Sequence, residues 1–244
     1  MTVSAREFDA WLDRANLPTS STEIGRVLNM RRSTIKTQRM RNRVSEDVIV
    51  GLSRSFGLSP LRSLAEFDPY YSLQSDQPPP TMAELLSQVT HTDLFAELLR
   101  RNRADMAAII GAHYELSPIP HADGVRAWID AIDPGSIRTE MSHHSGMATT
   151  NLSTLLSENR LPPELALLAS SLAQVSLIGG LVVTGLLTPQ EAGWPAQGRE
   201  NALNALSDLD LIDLTDQRLK SLRRRVKKKI DAQNSAHALW ETLG

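Results

Sequence analysis

Apolar positions along the chain recur every three or four residues. Alternating runs of β-branched and polar residues are nearly absent, so the pattern predicts helices throughout. In residues 4–15, Phe8, Trp11, Leu12 and Ala15 share one helical face. Pro18 and the run TSST end that helix, and Ser21 or Thr22 caps a short second one that reaches Leu28. Asn29 is one of the few non-glycine residues that accepts a left-handed turn, and a third helix follows from about Ser33 to Arg41. Ser45 stands where it would cap a fourth helix over 46–56, with acids in the first turn, and a fifth begins near residue 60. The stretch 165–188 carries no charge and is long enough to span a bilayer. Its serines, Gln174 and the Gly179-Gly180 pair divide it, which favours two short buried helices.

The same pattern returns later in the chain. Shifted by 117 positions, AWLDRAN (10–16) aligns with AWIDAID (127–133), TEIGRVLNM (22–30) with TEMSHHSGM (139–147), and NRVSED (42–47) with NRLPPE (159–164). Residues 8–56 match at ten positions without a gap, and apolar positions exchange conservatively, as at Leu12/Ile129, Ile35/Leu152 and Val48/Leu165. The spacing predicts a tandem duplication of a unit of about 117 residues. The expected fold is all-α, each repeat being a five-helix helix-turn-helix domain followed by a short helical extension. The expected boundaries are a first helix-turn-helix domain at 1–72, its extension at 80–115, a second, degenerate helix-turn-helix-like domain at 122–192, and a C-terminal extension with a basic helix at 199–244. The proline run at 75–80 reads as a stiff hinge.

The segment IGRVLNMRRSTIKTQR (24–39) resembles the helix-turn-helix of Cro/cI-type (Xre-type) repressors. Ile24, Gly25, Leu28, Asn29, Met30, Ser33 and Ile35 occupy that family's positions for the apolar and small residues of the second helix, the turn, and the start of a recognition helix. RVSEDVIVGLSRSFGLSPLRSL (43–64) resembles the helices that follow it. The two-headed arrangement is similar to that of actinobacterial phage immunity repressors. The resemblance implies a sequence-specific transcriptional regulator, bacterial or phage-encoded and cytoplasmic, with double-stranded DNA as its partner and no enzymatic role.

Charge points the same way. The chain is nearly neutral, with 26 Lys+Arg against 28 Asp+Glu, yet residues 29–43 hold six basic side chains and no acid. With Ile35 anchored in the core, a helix here turns Arg32, Ser33, Lys36 and Thr37 outward, toward a major groove. Arg32 and Lys36 suit guanine edges, and Ser33 and Thr37 suit base edges or phosphates. Arg31, Arg39, Arg41 and Arg43 suit phosphates, and Thr34 completes the candidate set. The competing reading is a solvated basic face, although such faces normally mix both signs.

The second copy differs. Residues 22–62 carry nine Lys+Arg against three acids, whereas 139–179 carry one Arg against three acids. Thr149, Thr150, Asn151 and Ser153 retain polar character, but the phosphate-binding charge is gone. Two readings stay open: a structural or partner-binding copy, or a weak DNA contact made once the first copy is anchored. Near the end, QRLKSLRRRVKKKIDA (217–232) places eight bases between 218 and 229 around a narrow stripe of Leu219, Leu222, Val226 and Ile230. Arg223, Arg224, Lys227 and Lys228 are candidate secondary phosphate contacts, with a solvated face as the alternative. A membrane surface fits poorly because the apolar stripe is narrow.

Other chemistries lack their residues. There are no cysteines, which excludes disulfides and thiolate ligands and fits a reducing compartment. The opening residues lack the apolar stretch of a secretion signal. The six histidines at 91, 113, 121, 143, 144 and 237 show no metal spacing, and neither a phosphate loop nor a catalytic set is apparent, so no metal or cofactor is expected. The expected protein is a monomer with two helix-turn-helix units or a homodimer, with no membrane partner. The rival class is a helical interaction scaffold or adaptor in which these units bind proteins.

Overall fold

The computed structural model describes residues 3–111 and 114–243, together with their side chains except those of Lys228 and 235–243. Among the described residues every regular element is a helix, apart from one isolated antiparallel bridge between Val3 and Val44. Helix α1 (Ala5–Arg14) opens on a capping box between Ser4 and Glu7, and it buries Phe8, Trp11 and Leu12 as its periodicity predicts. Helix α2 (Ser21–Val27) is capped by Ser20, one residue ahead of the expected caps. Of the adjacent hydroxyls in TSST, this is the one that accepts from Glu23 N, at 3.2 Å. After α3 (Arg32–Met40) comes α4 (Glu46–Ser55). The side chain of Ser45 does not cap α4; its backbone N–H donates to Gln38 Oε1 at 3.1 Å and ties the end of α3 to the start of α4. Then follow α5 (Pro60–Leu64), a 3-10 helix (Asp68–Gln74) that the apolar pattern does not reveal, and α6 (Met82–Ser87).

The later elements are α7 (His91–Asn102), α8 (Ala104–Ile110), α9 (Gly124–Ile132), α10 (Ile137–Ser145), α11 (Thr149–Ser157), α12 (Pro163–Leu172), α13 (Leu177–Val183), α14 (Gly198–Asn204) and α15 (Asp208–Leu243). Helices α3, α4, α5 and α7 begin at residues 32, 46, 60 and 91, while α11, α12, α13 and α15 begin at 149, 163, 177 and 208, each 117 further on. Left-handed residues fall at the same spacing: Asn29 (φ 52) and Gly146 (φ 67), Asn42 and Asn159 (φ 53 in both), Gly57 (φ 69) and Gln174 (φ 55). The uncharged stretch forms two short helices, α12 and α13, divided at Gln174. No helix among the described residues is long and apolar enough to cross a membrane.

The chain divides into two compact units, each drawn from both halves of the sequence. The first contains Met1–Gln88 and Pro118–Gly198. Its core includes Trp11 and Trp128, which are 1% and 0% exposed. Helix α3 packs on α1 and α2, and α11 packs in the same way on α9 and α10; likewise α5 packs on α4, and α13 on α12. The two sets are tied together within this unit. Trp128 Nε1 donates to the buried Glu84 at 3.2 Å, Gln77 accepts from Leu177 N at 3.0 Å, and Arg54 grips Glu191 at 2.7 Å while donating to Leu186 O at 3.0 Å. Helix α6 therefore packs in this unit against α9, although the sequence grouped it with the extension at 80–115.

The second unit contains Val89–Ser117 and Arg199–Gly244. Thr90 caps α7 and accepts from Asp93 N at 3.2 Å; Ser207 likewise accepts from Asp210 N at 3.2 Å at the start of α15. Leu94 and Leu211, one turn inside these caps, are both fully buried. Arg101 joins α7 to α14 and α15 by donating to Leu203 O, Leu206 O and Asp208 while pairing with Glu97.

Candidate nucleic-acid interface

The turn between α2 and α3 is set by three residues. Met30 N donates to Gly25 O at 2.8 Å, folding the chain back on α2. Asn29 takes the left-handed conformation this requires. A Cβ on Gly25 would stand 2.7 Å from Met30 O, so this close approach demands glycine. The turn between α10 and α11 solves the same problem differently. Gly146 supplies the left-handed residue, and Ser142, at the place of Gly25, donates its hydroxyl to Met147 O at 2.6 Å.

These turns hold α3 with one side inward. Ile35 is 1% exposed, whereas Arg32, Ser33, Thr34, Lys36 and Thr37 are all exposed, as the helical spacing of these residues predicts. Arg31 is the N-cap residue, its side chain exposed and making no cap hydrogen bond. The first N–H groups of α3 thus carry the positive end of the helix dipole without a side-chain partner. Arg41 and Arg43 flank the other end and are exposed; between them Asn42 turns left-handed and accepts from Ala5 N at 2.8 Å. Among the described residues, the side chains of Arg31, Arg32, Lys36, Arg41 and Arg43 have no hydrogen-bond or ion-pair partner within the protein.

Arg39 stands apart from this set. Its guanidinium donates to Asp9 at 2.5 Å and to Thr19 O at 2.7 Å, and it lies 5.5 Å from the centre of the Phe8 ring. Only 19% of the side chain is exposed. Arg39 therefore fastens α3 to α1, and its charge is largely spent inside the domain. No spacing in the sequence signals this, because Asp9 and Thr19 lie 30 and 20 positions from Arg39. Arg54, which adds to the positive count of residues 22–62, is likewise committed to Glu191, and its guanidinium holds the Glu191 carboxyl below its ordinary pKa.

On α11, Leu152 and Leu156 are buried while Thr149, Thr150, Asn151 and Ser153 are exposed. Ala148 is its N-cap residue, so this helix start also lacks a side-chain cap. Its outer surface is uncharged over the first two turns. On α15, Arg223, Arg224 and Lys227 are exposed; the side chain of Lys228 lies outside the described residues, as do His113 and the side chain of His237. His143 and His144 are exposed, and no group of acidic or histidine side chains among the described residues is arranged to hold a metal ion. No family model matches the sequence, and neither a curated protein nor a solved structure matches the chain.

Proposed function

We propose that this protein is a sequence-specific regulator of transcription, most simply a repressor, that reads the major groove of double-stranded DNA with the helix at 32–41. The observation that carries this reading is the set of five exposed cations, Arg31, Arg32, Lys36, Arg41 and Arg43, which are free of internal partners and frame a helix held outward by a helix-turn-helix. An uncompensated cluster of this kind costs self-repulsion in the free protein, which a polyanion relieves. Arg32 and Lys36 reach base edges with Ser33 and Thr37, and Thr34 lies beside them on the exposed side. Arg31, Arg41, Arg43 and the uncapped helix start take phosphates. Arg39 contributes by holding the helix in place.

The reading includes descent from a Cro/cI-type ancestor by tandem duplication. The 117-residue offset of helix starts and left-handed turns supports the duplication. The second copy kept its architecture and lost its charge, so it acts as a scaffold for the first, with Thr149, Thr150, Asn151 and Ser153 adding polar contacts only on DNA already held. The reader works in the cytoplasm of a bacterium or infected host, without cofactor or catalysis. The deciding experiment is a selection of random duplex DNA on the intact protein, repeated with Arg32→Ala/Lys36→Ala. Log affinity against log salt should slope by about -4 to -5 for the wild type, from four to six phosphate contacts. The double variant should lose affinity and relax the selected sequence. An unchanged consensus and slope would reject α3 as the reader and leave the interaction-scaffold reading.

A further inference from the structure

The second unit leaves an unusual amount of apolar surface in water. It holds fewer than a third of the residues but, among the described residues, nine of the fourteen exposed large apolar side chains. Those on α15 are ordered along the helix. Ile212, Leu219 and Val226 recur every seven residues and are 47%, 38% and 46% exposed, with Ile230 continuing the line at 49%. Leu219, Leu222, Val226 and Ile230 line a shallow apolar groove flanked by Arg223 and Lys227. A seven-residue repeat of exposed apolar side chains is the seam that one helix offers to another.

Charge along α15 decides what can fit there. Residues 208–216 carry four acids and no base, and residues 218–229 carry eight bases and no acid. A parallel copy would lay the basic segment against itself. An antiparallel copy centred on Leu219 lays the acidic segment of each helix beside the basic segment of the other. It also sets Ile212 against the second copy's Val226 and brings Arg223 within a turn of the second copy's Asp216. We propose that the occupant of this seam is a second copy of the chain, docked antiparallel along α15. Arg224 lies off the seam and stays open to DNA. The dimer holds with or without DNA, so this proposal stands or falls apart from the reading of α3.

The test uses the full chain in sedimentation equilibrium at micromolar concentration without DNA. The wild type should be a dimer. Leu219→Glu, which sets two like charges at the centre of the seam, should raise the dissociation constant by about a hundredfold while circular dichroism stays unchanged. Orientation is read by cross-linking, which the lack of native cysteine makes clean. Under copper-phenanthroline oxidation, a mixture of Ile212→Cys and Val226→Cys chains should form a mixed disulfide dimer, and Ile212→Cys alone should not link to itself. A monomeric wild type, or self-linking by Ile212→Cys at the rate of the mixture, overturns the proposal. So does a monomer that covers α15 only when DNA is added.

Discussion

Residues 21–43 and 137–160 build the same device from different side chains. Each has a short helix, a left-handed residue, a second helix with its apolar side inward (Ile35 on α3, Leu152 and Leu156 on α11), and an asparagine turn that accepts a backbone N–H from an earlier helix, Asn42 from Ala5 in α1 and Asn159 from Val125 in α9. The inward positions are conservative in chemistry: Ile24 and Met141, Ile35 and Leu152. The outward positions diverge, with Arg32 and Lys36 of the first replaced by Thr149 and Ser153 in the second. The difference teaches that the fold constrains only what faces the core and the turn. The outer surface is free to gain or lose a ligand without any change of backbone.

The comparison is broken most directly by removing the charge. Arg32→Ala/Lys36→Ala should cost about 2–6 kcal/mol of specific DNA binding in fluorescence anisotropy, from two base contacts. Thr149→Ala/Asn151→Ala at the matching helix should cost under about 1 kcal/mol, as expected of exposed contacts without a charged partner. Equal losses would make the copies equivalent readers.

Trp11 and Trp128, 117 residues apart in one unit, differ in their surroundings. Trp128 Nε1 has Glu84 as its acceptor, whereas the buried Trp11 Nε1 has no hydrogen-bond partner. Trp128→Phe leaves Oε1 of the buried Glu84 without its indole donor, while Oε2 keeps Thr81, so it should destabilise the protein by about 1–2 kcal/mol more than Trp11→Phe in urea denaturation. The turns come next. Gly25→Ala forces a methyl against Met30 O and should cost about 1–3 kcal/mol. Ser142→Ala removes one hydroxyl bond, for about 1 kcal/mol. Similar costs would mean that the first turn relaxes to admit the methyl.

The smallest effect concerns pH. Glu46 opens α4 and accepts a hydrogen bond from Tyr70, and the position 117 residues on is Pro163. Burial raises the pKa of Glu46, outweighing the bond from Tyr70. The native state therefore holds this proton more tightly than the unfolded chain does. The stability this provides is present below the ordinary glutamate value and is lost as pH rises through the raised one. Glu46→Gln should gain stability relative to the wild type as pH rises through that window, in thermal melts at fixed salt. A difference independent of pH would remove Glu46 from this account.

Much of the candidate interface was legible in the sequence because helical periodicity and the position of one anchor fix which residues point outward. Ile35 inward and Arg32, Ser33, Lys36 and Thr37 outward follow from spacing alone. Arg39 was not legible as a structural residue, because its partners, Asp9 and Thr19 O, lie twenty or more positions away. The 3-10 helix at 68–74 was missed because its burial rests on Tyr70 and Leu73, too few residues to display a period.

By itself the sequence determined the helical class, the 117-residue spacing, the left-handed turn at Asn29 and the concentration of charge at 29–43. Each of these is a local property, set by which backbone angles and which face a given residue tolerates. Only the tertiary structure decided that front parts from both halves form one unit and back parts another. It also decided that Glu84 serves Trp128 and that Arg39 and Arg54 are spent on internal partners. Those outcomes depend on which buried surfaces and ion pairs meet across long stretches of chain, and no periodicity records such meetings.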